Sequence, residues 1–545
     1  MQKYIIGIDT GGTYTDAVLM EVQSAKIVAT AKVQTTHFNL ALGTGQVLAE
    51  LLAKSATAPE EIGRVCISST LATNSVVENK GARVAVIVIG YVRHFKLPVT
   101  AVVFVNGGHT ILGEEEQPLD IDYLVNLVQG LKNEVDAYGI CAAMSMKNPT
   151  HELVAEKAIA MLDPKPVFCS HRISQLTGMN ERAATAGLHA KLMPVMSAFI
   201  GGVESAMAGL QLRCPTLVIG GNGQALEAQR AVAEAGMTVA SGPACTAHFG
   251  ASHTNQNALV IDVGGTTTDI AMVENGHPLL AADGCQIGLW KTHVEAVDMR
   301  TAGIGGDSHV HVSERGELSI GPNRVTPLAM NCDGQYPPTD WLGVDTRSRL
   351  IVLRPEAMNL APEGELTTLL RETGRMTPAA IRERTGLGGI PLDVQLEHLT
   401  RKNLIFECGF TPTDALHVLG TISLGDRDAA LAGATILGRA LGLSPGEFSE
   451  MVLARTEELI ENMIIDYVIE RSWQNSLAGF IASRKNHPVL GVDFSIKIPL
   501  IGIGAAARFL LPRVAERLHT TVSFPENCEV GNAIGAAMIG LADAR

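Results

Sequence analysis

Two short stretches of this sequence repeat the same arrangement of aspartate, glycine and threonine. The first, IGIDTGGTYTD, begins at Ile6, and the second, VIDVGGTTTD, begins at Val260. Glycine turns leave backbone amides accessible to phosphate, hydroxyl groups add donors, and Mg²⁺ is typically held by one or two carboxylates together with phosphate oxygens. The matched copies therefore predict a pair of phosphate-binding turns.

The aspartates of the repeat are the candidates for catalysis. Asp9 and Asp262 end the strands that precede the glycines, and we predict that they bind Mg²⁺. Asp16 and Asp269 follow the turns, and we predict that they orient the hairpins or hold water near the terminal phosphate. A single D-x-G-G turn is common in ordinary hairpins, but two matched copies favour the catalytic interpretation.

The other members of the repeat are the candidates for phosphate binding, because glycine allows close backbone approach and threonine supplies a hydroxyl donor. The predicted phosphate contacts are Gly11, Gly12, Thr13, Thr15, Gly264, Gly265, Thr266 and Thr268.

Two further glycine clusters follow the second copy. In TAGIGGDS, Gly303, Gly305 and Gly306 are predicted to form an amide nest, with Asp307 near the metal. In GIGAAAR, which ends one predicted strand and opens a helix, small residues would let adenine lie against the backbone, and the predicted contacts are Gly502 and Gly504. Strand-glycine-helix turns often reflect tight packing alone, but four clusters in this order favour a nucleotide cleft.

The elements around these motifs predict two lobes. Each copy of the repeat lies between apolar, alternating stretches and therefore reads as a β-hairpin. Helical and strand patterns then alternate, which predicts α/β lobes at residues 1–190 and 191–545, with the hairpins facing each other across a cleft. Residues 311–420 interrupt the second lobe with proline-rich turns and short helices, and are predicted to be an insertion.

Composition and charge limit the classes of function. The chain has 545 residues, of which 46% are hydrophobic, and its formal net charge is −14. Nucleic-acid binding needs a positive field, so this charge argues against it. The longest apolar run, ARVAVIVIGYV, is too short to span a bilayer. Nine scattered cysteines in apolar surroundings predict reduced, buried thiols and a cytoplasmic protein. The chain starts directly in a strand-like segment, and we expect no membrane contact. We also expect the protein to form oligomers.

The order of phosphate hairpins and adenosine segment resembles the ATPase superfamily that includes actin, the large heat-shock chaperones and sugar kinases. More narrowly, the chain resembles the hydantoinase A / 5-oxoprolinase family, most closely in GIDTGGTYTDAV, SSTLATNSVVENKGARVAVIV, SHRISQLTGMNERAATAGLHAKLMP, ASGPACTAHFGA, VIDVGGTTTDIAMV and VDMRTAGIGGDS. In that family the third glycine cluster usually reads G-A-G-G-G-S, whereas this chain has Asp307 in place of a glycine. The resemblance implies two ribonuclease-H-like lobes of the actin and sugar-kinase type with a nucleotide cleft between them.

The resemblance also implies an activity, which is ATP-driven opening of a lactam or cyclic imide such as 5-oxoproline or a hydantoin. Phosphorylation of the amide oxygen would give water a better electrophile. Thr73 and Asn74, from the threonine-asparagine pair of the family, are expected to line the substrate side, and a hydantoinase B-type subunit is the expected partner. The same loops would also serve an ATPase that activates a partner protein, or a small-molecule kinase.

Several other features have a catalytic and a structural interpretation. His309 and His311 share one face of a strand, but two ligands without a third do not make a zinc site. Ser170 and His171 have no identifiable acid partner, so we interpret them as structural, as we do Cys245. The segment at 376–407 resembles a helix-turn-helix, with Thr377 and Pro378 as the predicted cap and first-turn residues. Residues 365–402 contain six basic and five acidic residues, which favours a docking surface or subdomain over DNA binding.

Overall fold

The computed structural model of the chain describes residues 3–12, 14–36, 40–77, 81–90, 95–173, 175–281, 284–287, 289–331, 337–359, 364–402, 404–473, 477–483 and 492–543. The chain folds into two compact units. The first unit consists of Met1–Asn255, Ala271–Met299 and Val530–Arg545, and the second unit of Gln256–Ile270 and Arg300–Glu529.

Strands and helices alternate through residues 1–255. The strands are β1 (Tyr4–Thr10), β2 (Tyr14–Glu21), β3 (Ile27–Gln34), β4 (Ile62–Ser69), β5 (Val84–Ile89), β6 (Ala101–Val105), β7 (Ala137–Ala142), β8 (Val167–Cys169), β9 (Thr216–Ile219) and β10 (Ala225–Glu227). The helices are α1 (Leu40–Ser55), α2 (Leu71–Val77), α3 (Ile121–Leu131), α4 (Thr150–Leu162), α5 (Met179–Gly209), α6 (Ala228–Ala233) and α7 (Ser241–Ala251).

The larger sheet of the first unit carries the first hairpin. Its strand order is β10-β9-β4-β1-β2-β3, in which β1, β2 and β3 are antiparallel while β1, β4 and β9 are parallel. Ile6 and Ile8 of β1 pack with Leu48 of α1 and Leu188 of α5 in one apolar core. Burying such a side chain contributes about 1.5–3 kcal/mol, so this core fixes the strand whose end carries Asp9.

A second sheet of the first unit is entirely parallel, with strand order β6-β5-β7-β8. Every residue of β5, whose sequence is VAVIVI, is buried. Continuous apolar strands of this kind occur in parallel sheets that are covered on both faces. The longest apolar run of the sequence is therefore a core strand, as predicted.

Helix α5 is long and apolar enough to cross a membrane, with a mean hydropathy of 1.3 over its most apolar window. Core helices pass the same test of length and composition. Its N-terminal half, from Met179 to Leu192, lies almost wholly buried against the sheets of the first unit. This burial accounts for the apolar residues of the N-terminal half, while 33% of the most apolar window is buried.

Short strands follow between residues 256 and 302, namely β11 (Ala258–Val263), β12 (Thr268–Glu274), β13 (His277–Pro278), β14 (Gln286–Ile287), β15 (Trp290–Lys291) and β16 (Met299–Ala302). The later strands are β17 (Ser308–Val312), β18 (Leu318–Arg324), β19 (Thr326–Pro327), β20 (Arg349–Leu353), β21 (Arg375–Met376), β22 (Ile405–Gly409), β23 (Leu500–Ile503) and β24 (Val522–Ser523). The later helices are α8 (Leu328–Asn331), α9 (Glu365–Thr373), α10 (Pro378–Thr385), α11 (Gly389–Arg401), α12 (Pro412–Val418), α13 (Arg427–Ala440), α14 (Pro445–Trp473), α15 (Ala478–Ser483), α16 (Ala507–Arg517) and α17 (Gly531–Asp543).

The second hairpin begins at the end of β11. In the second unit β11 pairs in parallel with β23, and β23 pairs in parallel with β24. The glycine-rich stretch at residues 502–508 joins β23 to α16, which confirms that it ends a strand and opens a helix.

A separate apolar core lies within residues 349–409. Strands β19, β22, β20 and β21 form a four-stranded sheet, and side chains of β20, α9, α10 and α11 share this core. Thr377 caps α10 by accepting a hydrogen bond from the Ala380 amide, and Pro378 occupies the first turn, as the sequence predicts. This small subdomain falls within the region predicted to be an insertion.

The unit boundaries differ from the predicted division at residue 190. Helix α5 runs through residue 190 without a break, and the first unit extends to Asn255. Helix α17, which the sequence assigns to the second lobe, also belongs to the first unit, where it packs on β1: a side chain on Gly7 would overlap Ala533 and Ala537. Close packing of small residues that are distant in sequence decides the boundary, and local patterns do not reveal it.

Candidate functional site

Both repeats form the predicted β-hairpin, and the two turns are closed by the same backbone hydrogen bond. The Gly11 amide donates to the Tyr14 carbonyl at 3.1 Å, and the Gly264 amide donates to the Thr267 carbonyl at 3.0 Å. Gly12 stands in open space at the first turn, where a side chain would meet nothing within 4 Å. Thr13 lies outside the described residues. The equal turns show that the sequence repeat is also a structural repeat.

Asp9 lies at the base of the first turn and is buried. Its Oδ1 accepts a hydrogen bond from Ser68 Oγ at 2.5 Å, and its Oδ2 accepts one from Asn532 Nδ2 at 3.3 Å. Gly242 of α7 lies beside the carboxylate, since a side chain there would come within 3.7 Å of Oδ1. Burial, together with the nearby charge of Asp16, raises the pKa of Asp9 to about 6, although the hydrogen bond from Ser68 lowers it.

Ser68 and Asn532 are site residues that the sequence reasoning missed. Ser68 ends the strand next to β1, so its position follows from the sheet order. Asn532 is a polar residue near the start of an otherwise small and apolar helix, GNAIGAAMIGLAD. That contrast was a usable signal, but nothing in the sequence indicated which strand the helix would cover.

Thr15 and Asp16 have contacts within the protein. Thr15 is fully buried, and its hydroxyl lies 3.2 Å from the hydroxyl of Thr35, which donates to the Gly11 carbonyl at 2.8 Å. Asp16 forms an ion pair with Lys32, its neighbour across β2 and β3, at 3.0 Å. The buried Thr15 therefore supports the turn, in place of the predicted phosphate contact. Asp16 links β2 to β3 through Lys32, and its two predicted roles, orienting the hairpin or holding water, stay predictions.

The S-G-P-A segment and the threonine-asparagine pair meet beside the first hairpin. Ser241, the first residue of α7, exchanges two hydrogen bonds of 3.0 Å with the backbone of Ser69. The hydroxyl of Thr73 accepts from the Ala240 amide at 3.1 Å, and Asn74 is exposed on the same short helix. Thr73 therefore fixes the start of α7, and Asn74 is the member of the pair that faces solvent.

Asp262 has a different setting at the base of the second turn. It is partly exposed, and its Oδ1 lies against Gly504, where a side chain would come within 2.4 Å of that oxygen. Gly504 also has a positive φ of +89°, so only glycine fits without strain. Gly502, by contrast, packs against the ring of Phe524, where a side chain would come within 2.4 Å of the ring, and its predicted adenine contact stays a prediction.

The third glycine cluster contacts the second turn directly, and this corrects the prediction of a free amide nest. The amides of Gly306 and Asp307 donate to the carbonyls of Gly264 and Gly265 at 3.0 and 2.8 Å. The Gly305 amide donates to Ser308 Oγ at 2.8 Å. These three amides are therefore already engaged.

The remaining members of this cluster also serve packing and support. Gly303 packs against Pro322, where a side chain would come within 2.9 Å of the proline ring. The cluster therefore supports the tip of the second hairpin and does not present a ring of free donors.

The later residues of the second repeat follow the pattern of the first. Thr268 is fully buried and donates to the Ile304 carbonyl at 2.7 Å, so it is a support like Thr15 and not a phosphate contact. Asp269 accepts from Thr301 Oγ1 at 2.5 Å, and burial raises its pKa to about 6. Thr266 is exposed at the turn. The accessible members of the two turns are thus Gly11, Gly12, Gly264, Gly265 and Thr266.

The two repeats fit a magnesium ion in their donor chemistry. Carboxylate oxygens are the ligands that Mg²⁺ prefers, and each repeat places one carboxylate at a strand end beside exposed backbone amides. Asp262 is the more accessible of the two. Asp9 already accepts one hydrogen bond on each oxygen, and each oxygen keeps a second lone pair for a metal-bound water.

The serine-histidine pair at 170–171 has an acid partner that the sequence did not reveal. The buried carboxylate of Glu152 lies 2.6 Å from Ser170 Oγ and 2.6 Å from His171 Nδ1. Glu152, Cys169 and His171 lie close enough together to share a cation. However, the Arg182 guanidinium is 3.6 Å from Glu152 and burial raises the pKa of the Cys169 thiol, so the network disfavours a metal and ties α4, α5 and β8 together.

The other alternative sites keep their structural interpretation. His309 donates to the Ser348 carbonyl at 3.1 Å, and among the described residues no third ligand joins it and His311. Cys245 is buried in α7, and burial raises the pKa of its thiol. The described cysteines are free thiols that are buried or half-buried, as predicted, while Cys332 lies outside the described residues.

Two family models match the chain across most of its length. One is described as the hydantoinase/oxoprolinase N-terminal region and matches residues 5–162; the other is described as hydantoinase/oxoprolinase and matches residues 182–544. The chain belongs to the hydantoinase/oxoprolinase family. This finding confirms the resemblance seen in the motifs.

A curated relative and two solved structures extend the comparison. Caprolactamase subunit alpha from Pseudomonas jessenii is 26% identical over 367 residues, which cover 59% of this chain and 50% of that protein. The chain therefore spans about half the length of this relative. The nucleotide-free structure of acetone carboxylase, from work on the mechanism of ATP-dependent acetone carboxylation, has a TM-score of 0.67 at 18% identity. The ATP-dependent caprolactamase of Pseudomonas jessenii has a TM-score of 0.63 at 20% identity.

Each of these two structures covers 98% of this chain, while this chain covers 70% of each of them. At such identities the similarity is one of fold. It confirms the predicted α/β fold class.

Proposed function

We propose that this chain uses ATP and Mg²⁺ to activate the carbonyl oxygen of a cyclic amide or imide, so that water opens the ring. The observation that carries the proposal is the pair of matched turns, each closed by the same hydrogen bond and each preceded by an aspartate at a strand end. Membership of the hydantoinase/oxoprolinase family supports it, as does similarity to a protein named ATP-dependent caprolactamase.

The chemistry requires positioning and charge neutralisation more than a nucleophile from the protein. The amide oxygen attacks the γ-phosphorus of ATP, and ADP leaves. Water then adds to the activated carbon, and the carbon–nitrogen bond breaks to release the amine and leave an acyl phosphate. A second water hydrolyses the acyl phosphate, which gives an open chain with a carboxylate and an amine, and inorganic phosphate.

The chain's own residues divide this work between the turns and their supports. The amides of Gly12 and Gly265, with the hydroxyl of Thr266, are the proposed phosphate donors, because the amides of Gly11 and Gly264 close the two turns. Asp9 and Asp262 are the proposed metal ligands, and the metal would offset negative charge on the phosphates. Asn74 is proposed to line the substrate side, next to the α7 start that Thr73 fixes.

A second candidate reaction is ATP-dependent carboxylation of a ketone, which the likeness to acetone carboxylase favours. A ketone, like an amide, presents a carbonyl oxygen that can accept a phosphoryl group. The relative named caprolactamase subunit alpha is one subunit of an assembly, and we propose that this chain also acts with a second subunit of the hydantoinase B type.

Phosphate release from Mg-ATP, measured together with the organic product, tests the proposal. The panel contains 5-oxoproline, hydantoin, N-methylhydantoin and caprolactam, and separately acetone or acetophenone with bicarbonate. Ring opening coupled to phosphate release supports the amide reaction, and a carboxylated ketone supports the second candidate. A stable phosphorylated compound would instead identify a kinase. ATP turnover that responds only to a partner protein would identify a conformational activator.

A further inference from the structure

An ion pair between Asp307 and Arg324 lies at the tip of the second hairpin. We propose that Arg324 is a phosphate-binding residue for ATP, and that Asp307 holds its guanidinium until the nucleotide takes Asp307's place. This inference rests on the proposed function, because it adds a residue to the same nucleotide site.

The backbone fixes both members of the pair at the hairpin. The Asp307 amide donates to the Gly265 carbonyl at 2.8 Å, and the Val325 amide donates to the Asp307 carbonyl at 3.1 Å. Arg324 ends β18 and is the register partner of Ser308 across β17 and β18. Its Nε and Nη2 lie 3.3 and 3.2 Å from Asp307 Oδ2.

The carboxylate of Asp307 occupies a place that suits a phosphate oxygen. Its Oδ2 lies directly over Gly265, because a side chain on that glycine would come within 2.7 Å of it. Gly265 is one of the accessible residues of the turn. A carboxylate oxygen of the protein therefore already lies against the turn that is predicted to bind a phosphate.

The second hairpin needs a positive charge that its backbone does not supply. A triphosphate carries several negative charges, and the amides of Gly305, Gly306 and Asp307 are engaged within the protein. A guanidinium presents a planar fork of donors that matches phosphate geometry. About one third of the Arg324 side chain is exposed, so an incoming ligand can reach it.

The first hairpin has a corresponding pair. Lys32 forms an ion pair with Asp16 at 3.0 Å, and its ammonium also lies 4.8 Å from the ring centroid of Tyr14, in the turn itself. Each hairpin thus holds one cation through one carboxylate. Partly exposed ion pairs of this kind contribute only about 0–1 kcal/mol, so a phosphate can displace the carboxylate at little cost.

Substitutions of Arg324 and of Asp307 are expected to change ATP affinity in opposite directions. Removal of a charged hydrogen-bonding group costs roughly 10- to 100-fold in affinity, so Arg324→Gln is expected to weaken Mg-ATP binding by about that factor. Arg324→Lys keeps the charge without the fork and is expected to fall between. Asp307→Asn releases the guanidinium and removes a repelling charge, so it is expected to tighten binding by about 2- to 5-fold.

The test is titration calorimetry of ATP with the 545-residue chain, with and without Mg²⁺, and thermal melting establishes that each variant is folded. Arg315→Gln is the matched control, because Arg315 is exposed in the loop between β17 and β18 and its loss changes the net charge equally. The double variant Arg324→Gln/Asp307→Asn is expected to bind more weakly than wild type, because the loss of the repelling charge offsets only part of the loss of the guanidinium.

Three results would overturn the proposal. Affinity unchanged in Arg324→Gln, or reduced equally in Arg315→Gln, would remove the phosphate-binding role. If Asp307→Asn weakens ATP binding only when Mg²⁺ is present, Asp307 is a metal ligand, in agreement with its predicted position near the metal. A wild-type protein that binds no ATP would overturn the proposed function itself, which separates that failure from the first two.

Discussion

The two hairpins have the same turn and different surroundings. At the first turn, Asp9 is buried and hydrogen-bonded to Ser68 and Asn532, whereas Gly12 stands open. At the second, Asp262 is partly exposed, whereas the equivalent Gly265 is covered by Asp307. The repeated sequence specifies the turn, and residues far away in the chain specify how accessible each part of it is.

From this difference we infer that the aspartates of the two hairpins have different roles in binding the metal. A carboxylate that is buried and hydrogen-bonded holds its position, while a more exposed one can exchange ligands. We therefore expect Asp9 to orient metal-bound water and Asp262 to contact the metal more directly. The predictions below test that difference in roles, from the largest effect to the smallest.

The largest effect is expected from the aspartates. Asp262→Asn should lower the rate of ATP hydrolysis by about 100-fold or more, because metal-assisted charge neutralisation is worth several kcal/mol. Asp9→Asn should also lower the rate of ATP hydrolysis strongly, but the Mg²⁺ concentration that hydrolysis requires should change less than in Asp262→Asn. Phosphate release measured across a Mg²⁺ titration distinguishes the two. Normal hydrolysis by either variant would refute the site assignment, and Asp122→Asn on exposed helix α3 serves as the control.

Substitution by alanine is expected to change ATP affinity differently at Gly265 and at Gly12, the equivalent glycines of the two turns. Gly265→Ala places a methyl group within 2.7 Å of Asp307 Oδ2, so the carboxylate must move, and we expect ATP affinity to change by roughly 10-fold or more. Gly12→Ala meets nothing within 4 Å and should change affinity by less than about 3-fold. Equilibrium binding of Mg-ATP measures both. Equal effects at the two positions would show that their surroundings do not matter.

The sequence predicted the parts of this site that are locally encoded. The hairpins, the strand-to-helix step at residues 502–508 and the cap at Thr377 depend on neighbouring residues, and all were predicted correctly. Thr15 and Thr268 were assigned to phosphate because the repeat shows residue type but not the direction of a side chain, and alternation along the strand turns both inward. The third glycine cluster was misread for a similar reason, since glycine that permits close packing looks like glycine that permits ligand approach.

The contacts that the sequence did not predict join distant segments. Asn532 reaches Asp9 across 523 residues of chain, and Arg324 reaches Asp307 through the register of β17 and β18. Such pairs depend on how helices and strands pack, which a single sequence does not specify. The displaced boundary near residue 190 has the same origin.

The buried charge of Asp269 predicts a pH dependence of stability. Burial raises its pKa from 3.8 to about 6, so the folded state binds this proton more tightly than the unfolded state does. The wild-type unfolding free energy should therefore fall as pH rises from about 4 to 7. Asp269→Asn removes this loss, and its advantage over wild type should grow by roughly 2–3 kcal/mol across that window, given about 1.4 kcal/mol per pKa unit. Denaturant titrations at several pH values measure it, and a constant difference would contradict the assignment.

The smallest effect on activity is expected from the buried threonines. Thr15→Val and Thr268→Val each remove a hydrogen bond to the turn or its support, which costs about 0.5–1.5 kcal/mol of stability. We expect ATP affinity to change by less than about 3-fold, because neither hydroxyl faces the ligand side. Melting temperature and Mg-ATP affinity should be measured together. A loss of affinity without a loss of stability would restore both threonines as phosphate contacts.

We propose that each hairpin binds ATP phosphates beside the aspartate at its base. Calorimetric titration of the purified chain with Mg-ATP, repeated with Asp9→Asn and Asp262→Asn, tests it most directly. We expect weaker binding of Mg-ATP in both variants. A variant that binds Mg-ATP as tightly as the wild type would contradict the role of its hairpin.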